Sequence, residues 1–92
     1  MITAIVFIKA DVDRIPEVAE KIADIEAVSE VFSVTGKIDL IALVRVRNHD
    51  DLALVVPEGI NKVAGVRATE THVAFRTYSR HDLESMFSIG ME

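Results

Sequence analysis

The chain carries an internal repeat at a spacing of 38 residues, and this repeat limits the folds open to it. When the sequence is shifted by 38 positions without a gap, seven identical pairs and the similar pair Ile25 and Val63 are among the residues that coincide. These pairs are Ala4 with Ala42, Val6 with Val44, Asp13 with Asp51, Val18 with Val56, Glu20 with Glu58, Ile22 with Ile60, Ile25 with Val63, and Val28 with Val66. Because the matches respect the boundaries of the predicted elements, we interpret them as two copies of one strand, helix, strand unit.

The first unit begins with a β-branched run from Ile2 to Lys9, which predicts a strand. Asp13 then offers a cap for a helix whose first turn tolerates Pro16, because the first helical N–H groups have no partner within the helix. A second strand is predicted from Val28 to Thr35. The buried helix face is predicted to hold Ile15, Val18, Ala19, Ile22 and Ile25, and one side of the second strand to hold Val28, Glu30, Phe32 and Val34.

The second unit repeats this order. A strand is predicted from Ile38 to Arg47, capping residues from Asn48 to Asp51, a helix from Leu52 to Val63, and a long strand from Val66 to Tyr78. Pro57 lies inside the helical pattern, where it removes one hydrogen bond and clashes with the preceding turn. We therefore expect this helix to be kinked or broken at Pro57.

The last residues predict a separate short helix. Ser79 and Asp82 resemble a capping box ahead of an apolar pattern formed by Leu83, Met86 and Phe87. We therefore divide the chain into a main domain over residues 1–78 and a helical extension over residues 79–92, whose apolar side we expect to dock on a neighbour.

The order βαββαβ predicts an α+β fold of the ferredoxin-like type, in which both helices cover one face of a four-stranded antiparallel sheet. An uncovered sheet face is normally polar, yet residues of both parities are apolar in the first and third strands. The residues of the second parity are Ile5, Phe7, Ile41 and Leu43. We therefore expect the second face to be buried against another copy of the chain in a homodimer.

Charge and composition exclude several classes of function. The formal net charge of −5 argues against direct nucleic-acid binding, and the absence of cysteine excludes disulfides and thiolate chemistry. No basic leader precedes the first strand, and the apolar run from Ile2 to Ile8 is too short to span a membrane, so we expect a cytoplasmic protein. We expect no metal or cofactor, because the three histidines, His49, His72 and His81, have no ligand spacing. We name no catalytic residues, because the chain has no Gly-x-Ser-x-Gly motif and no cysteine, and nothing singles out an acid or base. His72 could pair with Glu70 on its own strand.

The segment from Thr35 to Asp39 is the strongest candidate for a binding site. Gly36 can adopt a positive φ and expose backbone N–H groups, and Asp39 supplies acceptors beside it. Thr69 and Thr71 share one face of the last strand and add two hydroxyl groups. The alternative interpretation is an ordinary hairpin connection in which Asp39 is a turn acid, and sequence spacing alone does not decide between the two.

Two motifs are similar to those of the effector-binding domain of the Lrp/AsnC family of leucine-responsive and asparagine-responsive regulators, also described as the domain for regulation of amino acid metabolism. They are Val31-x-x-Val34-Thr35-Gly36-x-x-Asp39 and Gly65-Val66-x-x-Thr69-x-Thr71-x-Val73, and the similarity extends from about Ile2 to Phe75. The resemblance implies face-to-face dimers of the dimeric α/β-barrel type, which join into tetramers or octameric rings.

The same resemblance implies that an amino acid or a related metabolite binds between dimers near the glycine turn. Carried over to this chain, Gly36 would expose its backbone to the ligand, with Thr35 beside it in the site. Asp39 would engage an ammonium group or order the turn, and Thr69 and Thr71 would contribute hydroxyls.

Two features depart from the family pattern. Met1 leads directly into the first strand where family regulators carry a helix-turn-helix, and Lys37-Ile38 replaces the aromatic residue that often precedes the aspartate. We therefore expect a stand-alone sensor that acts in transcriptional regulation through oligomerisation, with full-length relatives as possible partners. The alternatives are an ACT-like amino-acid-binding domain and a small cofactorless monooxygenase or isomerase.

Overall fold

A computed structural model describes residues 1–80 of the chain. Its elements are β1 (Ile2–Ala10), α1 (Ile15–Ala23), β2 (Val28–Ser33), β3 (Leu40–Val46), α2 (His49–Val55), a 3₁₀ turn (Ile60–Lys62) and β4 (Val66–Val73). The four strands form one antiparallel sheet in the order β2-β3-β1-β4. The predicted ferredoxin-like βαββαβ fold is therefore confirmed.

The core lies between the helices and one face of the sheet. Strict alternation places the even-numbered residues of β1 and β3 on the helix side, where all of them except the half-buried Ile2 are buried. The buried apolar residues are Ala4, Val6, Ile8, Ala10, Val18, Ile22, Val28, Leu40, Ala42, Val44, Val46, Val55, Val56 and Ile60. The alternate residues of β1 and β3 lie on the sheet face without helices.

We call this second surface the open face and define it by its large apolar side chains. They are Ile5, Phe7, Phe32, Ile41 and Leu43. The residues of β1 and β3 among them are half-buried and Phe32 is exposed, so the single chain leaves this apolar surface partly open.

A bulge in β2 corrects the predicted faces of that strand. Val28 pairs with Val44, but Glu30 pairs with Leu43, so β2 has one more residue than β3 across this step. One extra residue reverses the alternation. Val28 therefore packs in the core, whereas Glu30 and Phe32 lie on the opposite side, and the prediction that all three share one side was wrong.

The helix boundaries differ in part from those predicted. The N-cap of α1 is Arg14 without a side-chain cap bond, so Asp13 is not the cap, while Pro16 does lie in the first turn. At α2 the expected capping residues are confirmed, since the backbone N–H of Asn48 donates to Asp51 Oδ2 at 3.2 Å.

The second helix is broken at Pro57, as predicted. Helix α2 ends at Val55, and a separate 3₁₀ turn follows from Ile60 to Lys62. The predicted single helix from Leu52 to Val63 is therefore two pieces, because the proline ring removes a donor and excludes the preceding helical turn.

The last strand is shorter than predicted, since β4 ends at Val73 and does not reach Tyr78. Val73 pairs with Ala4, and the N–H of Ala74 donates to the carbonyl of Thr3 at 2.9 Å. Almost no partner strand is left beyond this point, because β1 begins at Ile2. The predicted C-terminal helix and its residues Asp82, Leu83, Met86 and Phe87 lie outside the described residues, and the boundary at residue 78 stays a prediction. Among residues 1–80, no helix is long and apolar enough to cross a membrane.

Candidate functional site

The predicted glycine turn is an exposed four-residue loop at one end of the sheet. Residues 34–39 connect β2 to β3, and the N–H of Val34 donates to the carbonyl of Asp39 at 3.1 Å, which closes residues 35–38 into a loop. Gly36 has φ of +107°, and a Cβ atom built on it would meet nothing within 4 Å. Thr35 and Lys37 are exposed on either side. The backbone at Gly36 is therefore accessible to a ligand or to another chain.

Asp39 lies at the base of this turn and binds the main chain of β1. Its Oδ2 atom accepts a hydrogen bond from the N–H of Ala10 at 2.9 Å, and its own N–H donates to the carbonyl of Ile8 at 2.9 Å. Two roles were considered for Asp39, contact with a ligand ammonium group and ordering of the turn. The hydrogen bonds of Asp39 within the chain support the second role.

The two threonines lie on the helix side of the edge strand β4. Thr69 pairs with Ile8 and Thr71 with Val6, both of which are core residues, so the threonines share one face as predicted. The hydroxyl of Thr69 donates to Oδ1 of Asn61 in the 3₁₀ turn at 2.7 Å. The side chain of Thr71 is exposed.

The structure does not bring the five predicted site residues into one pocket. Ser33, Leu40, Ile8 and Thr69 form one row across the four strands. Three strand spacings separate the two ends of this row, or about 14 Å. Asp39 precedes Leu40 and so lies two strand spacings from Thr69, or about 10 Å. The glycine turn and the threonines are therefore separated across the sheet within a single chain.

Two cavities lie away from these five residues. The first, of about 490 Å³, lies between the α1–β2 connection, the end of β3 and α2, and its lining includes Ile25, Arg47 and Leu54. The second, of about 550 Å³, lies between α1 and the residues before β4, and charged side chains dominate its lining. These charged residues are Arg14, Glu17, Glu20, Lys21, Asp24 and Lys62.

A second glycine turn lies at the same end of the sheet as Gly36. Gly65 has φ of +100°, and a Cβ atom there would lie 2.7 Å from Cγ2 of Val18. Its carbonyl accepts a hydrogen bond from the N–H of Asp11 at 2.8 Å. Gly65 thus allows the start of β4 to approach both α1 and the end of β1.

Two of the three histidines, His49 and His72, lie among the described residues. His49 begins α2, and His72 Nε2 lies 2.8 Å from Glu70 Oε2 on β4, which confirms their pairing. The ring of His72 also packs edge-on against Phe7 at 5.1 Å. Within residues 1–80, no group of three His, Cys, Asp or Glu side chains could bind a metal ion.

Sequence reasoning missed two contacts of the predicted site. Ala10 supplies the N–H that Asp39 binds from 29 positions away, and Asn61 accepts the hydroxyl of Thr69. Neither contact has a signal in the sequence, because Ala10 contributes only its backbone N–H and Asn61 is an ordinary residue of the 3₁₀ turn.

Comparison with known proteins identifies relatives for most of the chain. A family model for the Lrp/AsnC ligand binding domain matches residues 3–83. The uncharacterized HTH-type transcriptional regulator PH1692 of Pyrococcus horikoshii is 39% identical over 72 residues, which are 78% of this chain and 48% of that protein. The chain thus spans about half the length of this curated relative.

Two solved structures share the fold. TTHA0845 from Thermus thermophilus is 48% identical with a TM-score of 0.82, and the match covers 87% of this chain and 100% of that chain. The transcriptional regulator NMB0573 of Neisseria meningitidis, in complex with L-Met, has a TM-score of 0.77 over 86% of this chain and 53% of that chain. At 14% identity, this second likeness shows a common fold alone.

Proposed function

This chain belongs to the Lrp/AsnC ligand-binding domain family, and from that premise we propose that it is a regulatory module that binds an amino acid or a related metabolite. The module acts in transcriptional regulation through its state of assembly. It works in the cytoplasm, where it responds to free metabolites. It is not an enzyme, in keeping with relatives that are named transcriptional regulators.

The observation that carries this proposal is the exposed glycine turn. Gly36 leaves open space around its Cα, and Thr35 and Lys37 present polar groups beside it. The distance to Thr69 and Thr71 supports a site that is shared between chains, with the turn from one chain and the threonines from another. A ligand at such a boundary binds one assembly state more tightly and shifts the population toward it.

We also propose that two copies of the chain pack through the open face to form a homodimer. Large apolar side chains occupy its centre, on β1 and β3, while charged side chains lie at its ends and edges. The charged residues are Lys9, Glu30, Arg45 and Glu70, and the polar side chain of His72 lies beside Glu70. An apolar centre with a polar rim is typical of protein interfaces. Dimers then join into tetramers or octamers, and full-length Lrp/AsnC relatives are candidate partners.

The test is a panel of the twenty amino acids, read by thermal shift and by light scattering on the full chain. L-Met is included because the Neisseria regulator of the same fold forms a complex with it. We expect at least one amino acid to raise the melting temperature by mass action and to change the molar mass. If no amino acid alters either quantity, the proposed function is wrong.

Site variants then locate the binding. Thr35→Val and Thr71→Val each remove an exposed hydroxyl while the side-chain shape is kept, so each should reduce the ligand-induced shift. Thr77→Val is the matched control, since Thr77 is also exposed but lies beyond β4. An equal loss in all three variants would place the ligand elsewhere.

A further inference from the structure

The end of the sheet that carries the Gly36 turn is held by a side-chain hydrogen bond. The register of β1 with β3 stops at Ile8 and Leu40. Beyond that point, the N–H of Ala10 donates to Oδ2 of Asp39 at 2.9 Å. The main-chain N–H of Asp39 still donates to the carbonyl of Ile8 at 2.9 Å, and the carboxylate of the same residue serves as the acceptor just beyond this last main-chain bond.

The backbone N–H of Ala10 depends on this hydrogen bond for its partner. Ala10 is only 7% exposed, so its N–H would lose a partner in a mostly buried place if the carboxylate were removed. A carboxylate is also a stronger acceptor for an N–H group than a neutral carbonyl.

Asp39 connects the two glycine turns through the end of β1. The next residue after Ala10 is Asp11, whose N–H donates to the carbonyl of Gly65 at 2.8 Å. A continuous path therefore runs from the Gly36 turn through Asp39 and β1 to the Gly65 turn. Displacement of Asp39 would loosen the glycine turn at its base.

We propose that Asp39 is a positioning residue for ligand binding and is not the partner of the ligand's ammonium group. Its carboxylate fixes the Gly36 turn against β1 and, through Asp11, against the Gly65 turn. This inference rests on the proposed function, because it concerns the same site. The positive charge of Lys37 in the same loop supports it, since Lys37 is exposed and a cation disfavours an ammonium group beside it.

The first experiment measures amide hydrogen exchange by NMR in the full chain without ligand. Asp39→Ala removes the acceptor, so exchange at the Ala10 N–H should accelerate about tenfold or more. Asp39→Asn keeps an oxygen acceptor and should stay close to the unaltered protein. Asp13→Ala is the control, because Asp13 is an exposed carboxylate in the loop after β1. Unchanged Ala10 exchange in Asp39→Ala would overturn the proposal.

The second experiment measures the affinity for an amino acid that the unaltered chain binds, at a temperature where every variant is folded. Asp39→Asn should retain affinity within about threefold, whereas Asp39→Ala should lose about tenfold or more. If the carboxylate contacted an ammonium group, Asp39→Asn would itself lose about tenfold, and the positioning role would be wrong. Asp13→Asn controls for the change in net charge. If the unaltered chain binds no amino acid, the proposed function fails, and the exchange experiment still decides the role of Asp39.

Discussion

Gly36 and Gly65 both have positive φ, but the two residues differ in the space available for a side chain. Gly36 faces open space, so only its backbone angle requires glycine. Gly65 combines φ of +100° with a close approach to Val18, whose side chain is fully buried and β-branched. A β-branched side chain in a packed core has little freedom to move aside.

We predict that Gly65→Ala destabilises the chain more than Gly36→Ala. Gly36→Ala should cost about 1–2 kcal/mol from backbone conformation. Gly65→Ala should add about 1–3 kcal/mol from overpacking against Val18. Chemical denaturation of both variants measures the difference. A smaller loss in Gly65→Ala than in Gly36→Ala would mean that the Val18 contact imposes no strain.

The double variant Gly65→Ala/Val18→Ala isolates this contact. Its loss of stability should be smaller than the sum of the two single losses, because the truncated side chain makes room for the new methyl group. Additive losses would show that the two positions do not interact.

At the scale of elements, helix α2 depends on its N-terminus more than on its length. It has only seven residues before the chain turns at Pro57, too few for an isolated helix to be stable. Asp51 satisfies the N–H of Asn48 and also places negative charge in the first turn. The cap therefore contributes much of the local order.

Asp51→Ala should lower the free energy of unfolding by about 1 kcal/mol through loss of this capping bond. Asp50→Ala is the matched control, because Asp50 carries the same charge in the same turn without the bond to Asn48. Urea denaturation of both variants gives the comparison. Equal losses of stability in the two variants would mean that the negative charge, and not the bond to Asn48, stabilises the helix.

At the scale of the whole molecule, the internal repeat becomes a local two-fold symmetry. The repeat relates Ile5 to Leu43, and these two residues also pair directly across β1 and β3. The symmetry axis of the two units thus passes through the centre of the open face. The same apolar surface is therefore present on both sides of the axis.

We predict that Leu43→Lys yields monomers, because it places a charge at the centre of the proposed dimer interface. Leu54→Lys is the control, since Leu54 is 62% exposed on α2 and faces away from the open face. Light scattering should report a lower molar mass for Leu43→Lys alone, and circular dichroism checks that both variants fold. A folded, dimeric Leu43→Lys would show that the chain does not pair through the open face.

The sequence by itself determined the order and type of the elements, the break at Pro57 and the position of the glycine turn, because periodicity, proline and glycine act on neighbouring residues. Tertiary structure alone decided the bulge in β2, the contact of Gly65 with Val18 and the bond from Ala10 to Asp39. Each of these features joins atoms that are distant along the chain or depends on the register of one strand against another. Patterns of neighbouring residues contain no information about either.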